Sequence, residues 1–298
     1  MAEDLSTSAS GDLGPALPHV PGFAPGAAQI TPLPGGSLNR SYRVQTAAGR
    51  FVVRCSPGPD AWLAADRSVE RTLQDLAADA GLAPRIVHAG PDDRWLITEF
   101  VEGISWGDAN FARSECLATL GDTLRALHAI APPADGRFDL LEALGRYAQR
   151  LEQAPEAGEL PAGEFLEQAR VAWQLSGALE RPAAVLHHDL HGSNLIESGP
   201  GRLVLIDWEC AVVNDPLLDV ACVLSYFPYA RTCAGVLLDR AGLRQVTERQ
   251  LAASIWLFDL HTWLWYRERR MRLVPTAAER AAEARLARTL GRGIPSAL

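Results

Sequence analysis

The chain lacks any cysteine pairing pattern: Cys55, Cys116, Cys210, Cys222 and Cys233 show neither C-x-x-C spacing nor even intervals, and they lie mostly in apolar surroundings. That argues against a disulfide framework and for reduced interior thiols. The N-terminus lacks a basic segment leading into an apolar run, which argues against a secretory signal, and no stretch of eighteen uncharged apolar residues exists to cross a bilayer. A cytoplasmic location is the expectation. Positive charge is scarce as well, since 28 Lys+Arg against 36 Asp+Glu leave a formal net charge of -8. A nucleic-acid partner is therefore not expected. No internal repeat is visible.

What the chain does have is the composition of a globular protein, with 298 residues of which 48% are hydrophobic and 21% charged. That is room for two modest domains, or one domain carrying a smaller lobe. Residues 1–29 are rich in Pro, Gly, Ala and Ser without apolar periodicity and are expected to form a flexible tail, with order beginning near Ile30. Between 30 and 101 the pattern is β-rich. Strand-like runs at 41–44 and 51–54 flank a turn ending at Gly49, and runs at 86–89 and 95–100 flank a second turn at 90–93. A helix over 64–80, with Val69, Leu73, Leu76 and Ala80 on one face, lies between them and is closed by Gly81 and Pro84. From 102 to 298 helices dominate: 116–130, with Leu117, Leu120, Leu124 and Leu127 in register, then 140–151 and 164–179, and helix throughout 219–290. Short strands are expected only at 184–186, 194–196 and 203–206. The fold class is α+β, a small β-rich N-terminal lobe over 30–101 and a larger, mainly helical lobe over 102–298.

Chemistry concentrates in one stretch. His187, His188, Asp189, Leu190, His191, Gly192, Ser193 and Asn194 run consecutively between apolar segments, and Asp207 follows the apolar Leu203, Val204, Leu205 and Ile206. Phosphoryl transfer from a magnesium nucleotide needs a carboxylate that orients the attacking hydroxyl and accepts its proton late in transfer. It also needs oxygen ligands that hold Mg²⁺ against the phosphates. Asp189 suits the first role. Asn194 offers a neutral oxygen ligand and Asp207, held by a buried strand, a charged one. Singly, each fits a loop cap or turn equally well; the combination at this spacing does not. The three histidines raise zinc, but adjacent side chains on an extended strand point to opposite faces and rarely converge on one ion. His187 is expected to bond backbone and shape the loop, and His191 to face phosphate or solvent.

Two further groups carry chemistry. Gly35, Gly36 and Ser37 would let backbone N–H groups approach nucleotide phosphates, although an ordinary turn has the same composition. Arg54 presents a permanent positive charge toward the same phosphates, with Glu70 on the following helix as its anchor and Asp66 as a competitor; a surface salt bridge is the plainer alternative. Near the C-terminus, helical spacing within 255–270 places Trp256, Asp259, Trp263 and Tyr266 on roughly one face, with Trp265 elsewhere. An acid among aromatic rings can receive a cation, helped by Trp208 or Glu209 beside the acidic strand. The same pattern also describes a Trp-rich helix packed on the core.

The pattern His187-x-Asp189-x-x-x-x-Asn194, then Asp207-Trp208-Glu209 and Asp215-Pro216-x-x-Asp219, resembles the aminoglycoside phosphotransferase and choline kinase superfamily, from about Leu33 to at least Trp265. The resemblance implies a bilobal protein-kinase-like fold with ATP and Mg²⁺ between the lobes. It implies Asp189 as catalytic base, Asn194 and Asp207 as metal ligands, Arg54 as the phosphate-contacting residue and Glu70 as its helix partner. Glu99, Phe100 and Val101 resemble the interlobe segment whose backbone binds adenine. Arg54 stands where many members carry lysine, and His188 where glycine is frequent. In its motifs the chain is most similar to the bacterial thiamine kinase branch, then to choline and ethanolamine kinases. The expected partner is thus a small, cationic alcohol, thiamine foremost, acting on a monomer or homodimer. An aminoglycoside or sugar acceptor, or a non-catalytic pseudokinase, is the alternative.

Overall fold

Five strands pair antiparallel in the order β1-β2-β3-β5-β4: β1 Gln29–Leu33, β2 Arg40–Thr46, β3 Gly49–Cys55, β4 Ile86–Ala89 and β5 Trp95–Glu99. The chain is described by a computed structural model over residues 13–34, 39–56, 67–133, 137–153 and 162–295. Because side chains alternate across a strand, Phe51, Val53 and Cys55 of β3 all enter one buried cluster with Tyr42 and Val44 of β2. Arg54, between them, is turned to the opposite face. That opposite face meets α1, Arg67–Asp79, whose Glu70, Leu73 and Ala77 are buried.

The apolar face is covered by a segment expected to be a flexible tail. Leu13, Ala16 and Val20 are buried against Tyr42, Val44 and Phe51, and the Thr46 hydroxyl donates to the Pro21 carbonyl at 2.7 Å. Order therefore starts at least as early as Leu13 rather than Ile30. The physical reason is that three apolar side chains, at i, i+3 and i+7 but set among Gly14, Pro15, Pro18, Pro21 and Gly22 that mask so short a period, supply the cover that one face of the sheet needs.

The second lobe packs α2 Ser114–His128, α3 Leu140–Glu152, α4 Ala162–Ser176, α5 Leu217–Tyr226, α6 Ala234–Arg240, α7 Glu248–Arg270 and α8 Ala277–Leu290 around short β elements. These are β7 Ala184–Leu186 paired with β10 Val212–Asn214, and β6 Ile104–Ser105, β8 Leu195–Gly199 and β9 Arg202–Leu205 in a second small sheet. The α7 helix is buried almost all round from Leu251 to Leu264, as befits the central helix of a layered core. The region 219–290, expected to be helical, is a series of separate helices and a 3₁₀ stretch, Pro228–Cys233. Reciprocal capping boxes start two of them, Thr247 with Gln250 and Thr276 with Glu279. The strands β6 and β10 were not expected; two and three residues are too few for a periodicity.

Candidate active site

Between the lobes lies a chain of charged contacts built from α1 and β3. Arg54 Nη2 contacts Glu70 Oε1 at 2.6 Å and its Nη1 contacts Asp207 Oδ1 at 3.3 Å. Arg67 Nη1 shares the other oxygen of Glu70 at 2.6 Å and reaches Glu209 Oε2 at 3.4 Å, where Asn39 Nδ2 also donates at 2.7 Å. Glu70 is 1% exposed and Arg54 12%, so this network is largely removed from water. Burial lowers the Arg54 pKa, but Glu70, Asp207 and Glu209 outweigh it and the guanidinium is held protonated. The pairing expected for Arg54 and Glu70 is present. Asn39 and Arg67 were not anticipated, and a lone Asn and Arg carry no sequence signal. Asp66, the rival partner, lies outside the described residues, as do Gly35, Gly36 and Ser37.

The loop after β7 holds the second half of the site. Asp219, fully buried at the start of α5, accepts from the backbone N–H of His188 at 2.8 Å and of His187 at 3.3 Å, and contacts His128 Nε2 at 2.9 Å. Burial pushes its carboxyl up, yet His128 and the His188 N–H hold it below the usual range. His187 Nε2 donates to the Ile206 carbonyl at 2.9 Å, tying this loop to the strand that ends at Asp207. His188 adopts φ +63°, a left-handed backbone that glycine reaches without cost. Gly192 sits so close that a Cβ would lie 2.4 Å from the Trp106 carbonyl oxygen.

These restraints aim Asp189 and Asn194 at each other. Asn194 Nδ2 donates to Asp189 Oδ2 at 3.0 Å and to its carbonyl at 2.9 Å, His191 Nε2 lies 3.3 Å from Oδ2, and the Tyr226 hydroxyl donates to Oδ1 at 2.9 Å. Asp207, in left-handed backbone at φ +62°, follows β9 into the same cleft. Burial raises Asp189, but its hydrogen bond and charge interaction with His191, then His187 and Tyr226, bring it below the ordinary carboxylate range. His191 is lowered by burial and raised, in net, by Asp189 and Asp207. Asp207 is raised, first by burial and then by the charges of Asp189 and Glu70, against the opposing pull of Arg54.

A carboxylate held above its ordinary pKa by neighbouring carboxylates is a place where added positive charge is stabilising. Asn194 commits its amide nitrogen to Asp189, which leaves its oxygen as the atom able to ligate. Asp207 and Asn194 together form a hard oxygen donor set that fits Mg²⁺, which binds through one or two protein oxygens with substrate phosphates and water completing the shell. Among the described residues no group of three or more His, Cys, Asp or Glu side chains is placed to hold a metal.

The remaining expectations divide. Glu99 ends β5 exposed, followed by half-buried Phe100 and Val101, with the Arg43 guanidinium 5.8 Å from the Phe100 ring. Trp208 does not face the cleft: it is fully buried, donates to the Leu205 carbonyl at 2.9 Å and packs edge-on against His187. Asp259 is also fully buried and accepts from Ser225, and burial raises its pKa. Trp256 and Trp263 belong to the helical core, Trp263 against Phe165. The expected acid and aromatic wall is thus a packing face, because α7 is apolar enough on every side to be enclosed. Tyr266 alone of that group is half-buried and close enough to feel the charge of Asp189. Glu209 stands on the Arg67 side of the cleft. None of the five cysteines forms a disulfide; Cys55 and Cys222 are buried and the others half-buried.

The chain is similar to known proteins in sequence and fold. The phosphotransferase enzyme family matches residues 29–253. Thiamine kinase of Escherichia coli O81 (strain ED1a) is 30% identical over 208 residues, covering 67% of this chain and 68% of the relative. Among solved structures, a choline/ethanolamine kinase family protein from Mesorhizobium loti superposes with a TM-score of 0.73 at 23% identity, over 92% of this chain and 91% of that one. A choline kinase from Streptococcus pneumoniae gives 0.74 at 20% identity, over 89% and 93%. The structural likenesses speak for a shared bilobal, protein-kinase-like fold.

Proposed function

We propose a function for this chain, which belongs to the phosphotransferase enzyme family of aminoglycoside and choline kinases: transfer of the γ-phosphate of ATP to the hydroxyl of a small, cationic alcohol. The observation that carries the proposal is that Asn194 bonds Asp189, that Asp207 lies near enough to feel the Asp189 charge, and that Arg54 reaches Asp207 from the opposite lobe. Thiamine is the favoured acceptor, supported by the curated relative of that name. Choline and ethanolamine are the next candidates, since kinases for them share the fold.

In this reading Arg54 contacts the phosphates while Glu70 fixes its guanidinium, and the backbone of Glu99, Phe100 and Val101 meets adenine. Asn194 and Asp207 would hold Mg²⁺, which when bound neutralises phosphate charge and draws it toward the developing transition state. Asp189 accepts a hydrogen bond from the acceptor hydroxyl, aligns its oxygen in line with the γ-phosphorus and takes the proton late in transfer. Its depressed pKa keeps it ionised for that task. Tyr266, a half-buried ring close enough to feel the charge of Asp189, would receive the nitrogen of the acceptor.

The test is ADP release from MgATP with thiamine, choline, ethanolamine, amino sugars and aminoglycosides, using wild type and Asp189→Asn. Turnover on one alcohol, lost in the variant, is expected. Nucleotide binding with no turnover on any acceptor by either protein would replace the kinase reading with a regulatory one.

A further inference from the structure

The α5 helix touches the Asp189 loop at three points, and only two of them are structural in an obvious way. Asp219, Cys222 and Tyr226 are spaced i, i+3 and i+7, which puts them along one stripe of a helix. Asp219 accepts from the N–H groups of His187 and His188, the Cys222 thiol accepts from the N–H of Leu190 at 3.2 Å, and Tyr226 donates to the Asp189 carboxylate itself. The first two fix backbone on either side of Asp189. The third engages the reacting side chain.

The two oxygens of Asp189 differ in their partners. Oδ2 accepts from Asn194 and lies by His191. Oδ1 has the Tyr226 hydroxyl at 2.9 Å. An incoming hydroxyl that is to be aligned by Asp189 therefore meets Oδ1, where a single neutral phenol is the group to displace. The Tyr226 ring is itself fixed edge-on against Phe258 and Phe227, with centroids 5.5 and 6.4 Å away. Burial and the charge of Asp189 push its phenol well above the ordinary range, so it is always a donor and never a competing anion.

We propose that Tyr226 is a positioning residue that guards Asp189 Oδ1, occupying the oxygen that would otherwise activate water and yielding it to the acceptor hydroxyl. The inference rests on the kinase reading above. The reaction it suppresses is complete in itself: a water oxygen bonds to the γ-phosphorus, the bridging bond to ADP breaks, ADP leaves with that electron pair, and the water proton passes to Asp189. A small acceptor pre-bound in the pocket outcompetes the phenol through its local concentration, whereas bulk water must displace a hydrogen bond held in place by a rigid ring.

The experiment needs no knowledge of the acceptor. Phosphate release from MgATP in buffer alone is measured for wild type, Tyr226→Phe, Asp189→Asn and the double variant, with thermal melts confirming that each is folded. Tyr226→Phe is expected to raise acceptor-independent hydrolysis roughly threefold to tenfold, below the roughly hundredfold or more that a base gives to a fully positioned nucleophile, because bulk water is not held in line. The gain should vanish in the double variant. Hydrolysis by folded Tyr226→Phe equal to or below wild type overturns the guard, and so does a gain that persists without Asp189. Failure of the kinase reading is separate: it is Asp189→Asn leaving both hydrolysis and alcohol phosphorylation unchanged. Should Tyr226→Phe not fold, Tyr226→Leu, which removes the hydroxyl and leaves no side-chain donor, takes its place in the same assay: a gain that depends on Asp189 supports the guard, and no gain overturns it.

Discussion

Removing the Arg54 guanidinium tests whether the interlobe ion pairs hold the site together. Arg54→Met keeps most of the stem volume and leaves Glu70, 1% exposed, with Arg67 as its remaining cation at 2.6 Å. Breaking a buried pair by deleting one partner costs about 3–5 kcal/mol. Arg67 retains one of the two Glu70 oxygens, so about 2–3 kcal/mol is the expected loss, equivalent to a melting temperature lower by roughly 5–10 °C in a domain of this size. The same deletion strips a charge-assisted contact from the nucleotide phosphates, worth about 1.5–3 kcal/mol, and so raises KM for ATP by roughly tenfold to a hundredfold. Arg54→Lys separates the two effects. One ammonium cannot present two parallel donors, so it keeps the contact to Glu70 and loses the span to Asp207. Lysine should recover most of the melting temperature and less of the affinity. Melts by circular dichroism and KM from coupled ADP release read both. An Arg54→Met protein that melts within about 1 °C of wild type would refute the reasoning, because Glu70 would then tolerate burial without it.

Asp207→Asn should reduce turnover by at least about a hundredfold while ATP binding without Mg²⁺, read by nucleotide fluorescence, stays near wild type; equal Mg²⁺ dependence in the two proteins would count against Asp207 as a ligand. His188→Gly should fold, whereas His188→Val should lose roughly 1–3 kcal/mol more, since a β-branched residue resists φ +63°; urea melts compare them. His261 is half-buried with its pKa pulled down to about 3, first by its removal from water and then by His188. Its unfolded form takes a proton near pH 6.5, so its contribution is complete above that value and lost as pH falls toward 3, at about 1.4 kcal/mol per pH unit. Replacing His261 with Phe should flatten the dependence of stability on pH between 7 and 5, and an unchanged slope would reject this. Leu13→Asp should destabilise the protein by roughly 2–4 kcal/mol through a buried charge on the β-sheet cover.

Legibility in the sequence followed how local each signal is. The strands β2, β3 and β5, the helices α1 to α4 and the acidic loop announce themselves within a dozen residues, through alternation, helical period or spacing. The Leu13 to Val20 cover does not, because its three buried residues are recognisable only opposite the sheet they protect. The Trp-rich face of α7 misled for a related reason: Trp256, Asp259 and Trp263 do share a face, but that face meets α3, α4 and Ser225 rather than the cleft. Helical period tells which residues lie together and not what lies opposite. Tyr226 was invisible in the same sense, one tyrosine ending an apolar helix, until α5 is laid along the loop. The arginine at position 54 reads differently against the whole composition. The chain contains no lysine at all, so the arginine at this position matches a chain-wide usage as well as a local requirement.

The lengths of the two Arg54 contacts indicate how the site works. The guanidinium is 2.6 Å from Glu70 and 3.3 Å from Asp207, and charge-assisted bonds of the first length are much the stronger. Glu70 is also the more deeply buried carboxylate, so water competes with it least. In the proposed kinase, a phosphate entering the cleft would draw on the same planar donor set and displace the longer contact first, leaving Arg54 moored to the α1 helix. Asp207 would thereby be freed as a phosphate arrives, with its oxygen available to a cation carried by that phosphate. The anchor sets where the charge sits and the weaker contact sets when Asp207 is released. Glu70→Gln should accordingly impair phosphate binding although Glu70 touches no phosphate: the anchor weakens, Arg54 collapses onto Asp207, and KM for ATP rises by roughly tenfold or more. A Glu70→Gln enzyme that binds ATP as wild type does would place the anchoring elsewhere.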